Sequence, residues 1–572
     1  MRERLVPHGV AAAVTAVVLA PLALPGYVLR YDMVFVPRQP LSWDVIAPAS
    51  ALPRAVPQDA VVALATGLVP GWLVQRLALV AILYLAALGA ARLVPTGRTS
   101  VRVVAALGYA WTPYLAERLL IGQWGLLVAY AALPWLVEAA IGVRLGRPGA
   151  LRRLLLAAAA SAITPTGGLL ALAAMAVLLP GRYPGARRSA ATALGTALLV
   201  NAPWLVAGVG SATGGRSDPA GVVAFAARSE NWAGPLAALA GTGGIWNAQT
   251  MPASRGAALA PLGTALLLLL ALYGVPLLRR RWPAGVAGRL GLLAVGSWLA
   301  AALGALPGGV GLLGWLIATV PGAGLVRDGQ KLLVGYALAL ALAGALGAER
   351  LAGRLAERFD AYTGQVLLVG AALLPVAILP DLAFGALGRL RPVSWPADWA
   401  AVARQVDDRP GEVISLPFQE YQRYGWNRGQ VVIDPAPRYL AAPVLIDDTL
   451  RVGDLAVAGE DPRAARVREL LAAGTPLTAA GPRWVLVQRA AGPSPPTSTL
   501  AGLRLVHAGP ELTLYENPRW SAPGGPSRPG AVGLAHMIAG TVVVVIGFSG
   551  AARVRRRVVA SRHASPAEGE GG

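Results

Sequence analysis

The stretch VRDGQKLLVGYALALALAGALGAERLAGRLAER, residues 326 to 358, sets the architecture. Arg327, Asp328 and Lys331 open it, no charged side chain falls between 332 and 348, and Arg350, Arg354 and Arg358 close it. A bilayer core of about 30 Å takes roughly 20 apolar residues in helix, and arginine-rich flanks mark the cytoplasmic side. Residues 331 to 348 therefore read as one membrane span with its arginine end inside. The composition agrees: 55% hydrophobic and 14% charged residues over 572 positions are wrong for a water-soluble protein of that length.

The same unit recurs along the chain. Apolar stretches lie near 8 to 25, 72 to 94, 100 to 115, 124 to 143, 150 to 164, 166 to 180, 189 to 208, 256 to 278, 285 to 304, 331 to 348, 364 to 385 and 531 to 549. With the N-terminus inside, every second connection should carry the arginines. Arg92, Arg98 and Arg102 do so, as do Arg144, Arg147, Arg152 and Arg153, then Arg182, Arg187 and Arg188. Arg279 to Arg281 with Arg289, the Arg350 cluster, and the tail Arg553, Arg555, Arg556, Arg557 and Arg562 continue the pattern. One parity fits them all, which supports about twelve spans. Residues 308 to 326 are apolar enough for another, but counting them would put the last clusters outside. They read as a re-entrant or outer-surface helix.

The formal charge of +21 is thus topological; aromatic residues do not interleave with the basic ones as in a nucleic-acid binder. Lys331 is the one lysine among 50 basic residues, which with abundant Ala, Gly and Pro points to a high-GC, bacterial genome. The absence of cysteine excludes disulfides and thiol catalysis, and the four scattered histidines give little support to a zinc site or a catalytic triad. "MRER" and the apolar run behind it read as an uncleaved first helix rather than a leader, because no small-x-small cleavage site follows.

The expected fold class is an α-helical polytopic membrane protein with a small extracytoplasmic α/β domain near its C-terminus. Residues 1–385 form the transmembrane domain, with outer loops 26–71, 209–255 and 305–330. Residues 386–530 form the α/β domain, 531–549 the last transmembrane helix, and 550–572 a basic cytoplasmic tail read as disordered. Within 386–530, "PADWAAVARQVDD" and "DPRAARVRELLAAG" read as helices, the second with Asp461 as N-cap before Pro462. "GEVISLP", "RWVLVQ" and the two halves of "LRLVHAGPELTLYENP" read as strands.

Charged groups kept at a membrane boundary are costly and mark candidate function. Asp32 follows the first helix; Glu117 and Arg118 end the third; Arg327 and Lys331 precede the tenth. All fall on the outer side. A helix start beside Arg and Lys suits a phosphate oxygen, and an opposing carboxylate could take a proton from an attacking hydroxyl. Each has a plainer reading, as loop residue, ion pair or snorkelling anchor. Asp44 and Asp59, in Pro-rich surroundings, read as exposed turns. "FQEYQRYGWNRG" supplies Tyr421, Tyr424 and Trp426, side chains that either stack on a sugar or pack a loop.

At these residues the chain resembles the GT-C class of membrane glycosyltransferases, in the branch of YfhO-like and actinobacterial arabinofuranosyltransferase-like proteins. "YDMVFVP", "YLAERLLIGQWGLLVAYAALPW", the 326–358 stretch and the run from "SWPADW" to "NPRW" carry the resemblance, which spans most of the chain. It implies a polyprenyl-phosphate sugar donor, an envelope glycan or lipid acceptor, and transfer on the outer face of the plasma membrane. It makes Asp32 the catalytic base or metal ligand, with Mg or Mn as possible cation, although "YDM" holds one carboxylate where some members hold a pair. Glu117 would then orient the acceptor or the base, and Arg118, Arg327 and Lys331 would hold the phosphate, with Asp32, Glu117, Arg327 and Lys331 meeting in one outward cavity. A transporter or flippase would instead carry a row of charges across the membrane. A non-catalytic glycan-binding scaffold would leave Asp32 in solvent with no cavity beside it.

Overall fold

The computed structural model describes residues 2–48, 54–181, 183–210, 216–409, 411–492, 495–521 and 530–563. Arg182 and the end of the tail, 564–572, lie outside the described residues.

Among the described residues nine helices, not twelve, are long and apolar enough to cross a membrane: Leu5–Ala23, Gly71–Leu93, Trp124–Arg144, Ala186–Val209, Ala260–Arg281, Val286–Ala305, Gly329–Arg358, Ala361–Ile378 and Gly530–Phe548. The three other expected spans are helices of 12, 12 and 14 residues, Thr99–Ala110, Ala150–Ser161 and Pro165–Leu178. At 1.5 Å per residue each is roughly 18–21 Å long, short of a bilayer core. Two Thr-Pro pairs explain the breaks. Thr112 accepts from the Leu115 N–H at 3.2 Å and Thr164 from the Gly167 N–H at 3.1 Å, each followed by proline at the first helical position. Both are helix starts placed inside an apolar run.

The pair Ala150–Ser161 and Pro165–Leu178 is therefore a hairpin that leaves one end of the bundle and returns to it. Its return is pinned where Arg144 donates to the carbonyls of Leu178 at 3.1 Å and Pro180 at 2.6 Å. The arginine clusters meet at that end. Arg289 donates to Val177 O at 2.6 Å, Arg92 pairs with Glu138 at 3.4 Å, and Arg281 reaches Glu349 at 2.6 Å and Pro95 O at 3.0 Å. Because the hairpin enters and exits on one side, it leaves the parity of the arginines intact. The segment 308 to 326 holds an 11-residue helix, Gly309–Thr319, about 16 Å long and packed on Val222. The final helix runs as Gly530–His563, past its expected end at 549 and into the segment read as disordered.

The C-terminal segment builds nine strands: β1 Val413–Leu416, β2 Tyr421–Arg423, β3 Val431–Ile433, β4 Val444–Leu445, β5 Leu450–Val452, β6 Leu455–Val457, β7 Trp484–Gln488, β8 Arg504–Ala508 and β9 Leu512–Glu516. Five form one mixed sheet in the order β4-β1-β7-β9-β8, with β1 parallel to both neighbours and β9 antiparallel to both of its own. β7 is buried along its whole length because both faces are covered. Trp484 and Leu486 pack with Trp399 and Val402 of the helix Ala397–Asp407; Val485 and Val487 pack with Ala464 and Val467 of Pro462–Ala472. Asp461 caps that second helix, accepting from the Arg463 N–H at 2.9 Å.

The sheet domain is stitched to the bundle through the first loop. Tyr27 exchanges backbone hydrogen bonds with Val393 at 2.7 and 2.9 Å, and Tyr31 bonds Val431 and Ile433 of β3 at 2.6 and 2.9 Å. An aromatic cluster of Trp395, Trp399, Trp426 and Tyr439 fills the joint, with ring centroids 5.1–5.3 Å apart.

Within the bundle the helices Ala260–Arg281 and Val334–Arg358 touch backbone to backbone. A Cβ on Gly274 would lie 1.9 Å from Ala343 O, and one on Gly347 would lie 1.7 Å from Leu270 O. This is the small-residue packing on which helix pairs in lipid rely. Gly347→Val is expected to lower the melting temperature of the detergent-purified chain by the equivalent of about 3 kcal/mol or more. Gly344→Ala, on the same helix with nothing within 4 Å of the new carbon, should leave it unchanged or raise it. Melting followed by size-exclusion fluorescence measures both.

Candidate active site

Asp32 sits in a turn closed by two hydrogen bonds between Arg30 and Met33, at 2.9 and 3.1 Å, with Tyr31 at φ 44°. The Asp32 N–H donates to Ile121 O at 3.1 Å. Gly122 makes that approach possible: a Cβ there would fall 2.3 Å from Met33 N and 2.5 Å from Arg30 O. The turn presents the Asp32 carboxylate to a cavity of about 570 Å³ between the bundle and the sheet domain, at the end opposite the arginine clusters. Tyr421 Oη donates to Oδ1 at 2.7 Å and Gln123 Nε2 to Oδ2 at 3.1 Å. Each oxygen keeps lone-pair capacity for a group in the cavity. Burial, and then the charge of Asp32, push the Tyr421 phenol well above its usual range, so it stays a donor.

Arg327 and Lys331 line the same cavity. Lys331 lies 3.8 Å from Asp328, but Asp328 is already gripped by Arg118 through two bonds of 2.7 and 2.8 Å. That bidentate pair satisfies Asp328 and leaves the lysine charge directed at the cavity. Arg327 stacks over Phe225 at 4.8 Å and lies 3.9 Å from Glu460.

Four expected members of the site, Asp32, Arg327, Lys331 and Tyr421, thus line one cavity; Glu117, Arg118, Tyr424 and Trp426 do not. Arg118 is fully buried and reaches Asp32 only through Gln123, whose Oε1 accepts from it at 2.7 Å. It is held between Gln123 and Asp328 and does not reach the cavity. Glu117 is also fully buried, accepting from Gln330 at 2.7 Å next to the Glu230–Arg255 pair. Tyr424 donates to Gln488 inside the sheet domain and stacks on Trp426, so both belong to the packed joint. Asp59 is half-buried in a 3.0 Å pair with Arg438, not an exposed turn.

The sequence reading missed Arg54, Glu420, Arg438 and Asp448, which also line the cavity. Arg54 bonds Glu460 at 2.9 Å and approaches Glu420 at 3.8 Å. The only signal for Glu420 was its place beside Tyr421; Arg54 and Asp448 come from loops far apart in sequence. Despite these carboxylates, among the described residues no group of three His, Asp or Glu is arranged to hold a metal ion.

Burial raises the pKa of Glu420 from 4.5 to about 7, with Asp32 and Asp448 adding to the rise and Arg54 opposing it. A carboxyl raised on folding stabilises the fold fully below its unfolded pKa, and that contribution is lost as pH climbs through the folded value. The wild-type melting temperature should therefore fall between about pH 4.5 and 7, by the equivalent of up to about 3 kcal/mol, and Glu420→Gln should flatten that slope. Thermal melts across the interval measure it.

No known sequence family and no curated protein matches the chain. Solved structures do. A cryo-EM structure of the arabinofuranosyltransferase AftD from Mycobacteria superposes with a TM-score of 0.57 at 18% identity, over 91% of this chain and 40% of that one. Two structures of a point mutant of the same enzyme give 0.53 and 0.51 at 17% and 16% identity. This chain thus spans about two fifths of the length of AftD. The resemblance read from the sequence is present in three dimensions: over nine tenths of its length the chain has the fold of a polytopic membrane arabinofuranosyltransferase.

Proposed function

We propose that the chain is a membrane glycosyltransferase that moves a sugar from a polyprenyl-phosphate donor to an envelope glycan or lipid acceptor. The observation that carries this reading is the meeting of Asp32 with Arg327 and Lys331 in one cavity that also has an apolar stretch of wall, with Leu126, Leu169, Leu205 and Leu325. A carboxylate, two cations and an apolar wall are what a sugar joined to a lipid phosphate requires. The positive-inside rule puts both termini in the cytoplasm and the cavity and sheet domain outside the plasma membrane.

The acceptor hydroxyl gives its proton to Asp32 as its oxygen bonds the anomeric carbon. The bond from that carbon to the phosphate oxygen breaks, and its electron pair leaves with the lipid phosphate. Lys331 and Arg327 stabilise the charge that grows there. Gln123 and Tyr421 hold the carboxylate in register, and Glu117 and Arg118 act through their neighbours. The placement of Asp32 in a cavity weighs against a scaffold reading, and the fold of AftD makes an arabinofuranosyl donor the first to test.

Membranes holding the chain would be incubated with polyprenyl-phosphate arabinofuranose and with hexose donors. Transfer should appear with one donor, and Asp32→Asn should lower it by roughly 10²- to 10⁴-fold. Equal transfer by both proteins would remove Asp32 from the mechanism. No transfer from any donor would favour the scaffold or transporter.

A further inference from the structure

A second group of arginines lies apart from the cavity. Arg30, only 5% exposed, and Arg389 both donate to a single backbone carbonyl, that of Gln249. Arg423 is close enough for its charge to act on Arg30. Arg30 also donates to Leu120 O at 2.9 Å and to Gln430, Arg389 to Met251 O at 3.2 Å, and Arg423 to Gly429 O at 3.1 Å. None of the three has a carboxylate within 4.0 Å among the described residues. Asp381, whose charge also reaches Arg389, is held by the Ser254 N–H at 2.7 Å. Burial, and then the charge of Arg389, bring the Arg30 pKa down to about 10. A purely structural clamp on Gln249 would need one guanidinium.

The chain just before Arg389 adds an independent observation. Phe384, Gly385, Ala386 and Leu387 all have φ between 51° and 65°, a left-handed turn that L residues adopt at a cost. Gly385 is pressed on Pro21, at the end of the first membrane helix, and the turn follows the span Ala361–Ile378 closely. It therefore sits at the membrane boundary. Phe384 is 59% and Leu387 64% exposed, five and two residues before Arg389 in the chain.

We propose that this face binds an anionic glycerophospholipid, its phosphate held by Arg389 and Arg423 with the buried Arg30 adding its charge behind them, and its acyl chains lying on Phe384 and Leu387. The anion would sit between like charges that otherwise repel, and the left-handed turn would hold two apolar side chains where lipid tails begin. The site is separate from the sugar-transfer reading and does not depend on it.

The test uses the full chain in detergent, with melting followed against dioctanoyl-phosphatidylglycerol, dioctanoyl-phosphatidylcholine and inorganic phosphate. Phosphatidylglycerol should stabilise most. Arg389→Gln and Arg423→Gln should each weaken its apparent affinity about tenfold, the loss of one charge-assisted contact. Leu387→Ser should weaken it without changing the response to phosphate, and Arg350→Gln at the other end should change nothing. Arg423 is exposed, so its variant carries the test if Arg389→Gln fails to fold. Equal stabilisation by phosphatidylcholine, an equal effect of phosphate alone, or unchanged affinity in the arginine variants would each overturn the lipid site.

Discussion

The buried pair between Arg118 and Asp328 is the contact on which the cavity depends. It joins the short helix after the first Thr-Pro break to the start of the helix Val334–Arg358, two elements 210 residues apart in sequence. Desolvating both charges is expensive, and losing one partner strands the other, at a cost typically of about 3–5 kcal/mol. The two-pronged geometry offsets that expense and does local work on each side. On one side it occupies Asp328 and leaves Lys331 facing the cavity; on the other it holds Gln123, and through it Asp32.

That arrangement shows why charges that look alike in the sequence end in different places, some lining the cavity and some buried behind it. Asp32, Arg327 and Lys331 were found because they are charges at helix ends with no topological duty. Arg118 met the same criterion, yet its length lets it turn back into the protein. Whether an arginine at a helix end faces a ligand or a buried aspartate depends on contacts 210 residues away, which local pattern does not encode. Tyr424 and Trp426 failed similarly: aromatic content says that a surface will be covered, not by what. Tyr421, at the start of β2, alone of the three reaches the cavity; Tyr424 and Trp426 lie past the end of that strand.

The bundle was legible where apolar length and arginine position were the governing quantities. Nine spans, two helices and four strands (β1, β7, β8 and β9) of the C-terminal domain, and the common end of the arginines follow from hydropathy, capping residues and alternation. The three short helices were misread although the correction was printed in the chain. Thr112-Pro113 and Thr164-Pro165 are helix-start signals, and a hydropathy window averages over them. Parity did not expose the error, because a hairpin that returns to its own side changes the span count by two, while Thr99–Ala110, continued by Pro113–Leu120, still carries the chain from the arginine end to the cavity end. Arg54 and Asp448 had no local signal; their meeting with Glu420 is a product of the tertiary fold.

The hairpin Ala150–Leu178 has a consequence for the lipid around it. Its tip, at Thr164 to Thr166, forms part of the cavity wall, yet each arm is some 9–12 Å shorter than the hydrocarbon it stands in. A bilayer meeting so short a wall thins or dips rather than expose its tails to a polar threonine edge. The membrane beside the cavity is therefore expected to be locally dimpled, and a long isoprenoid could reach the polar floor without its headgroup being lifted clear of the leaflet.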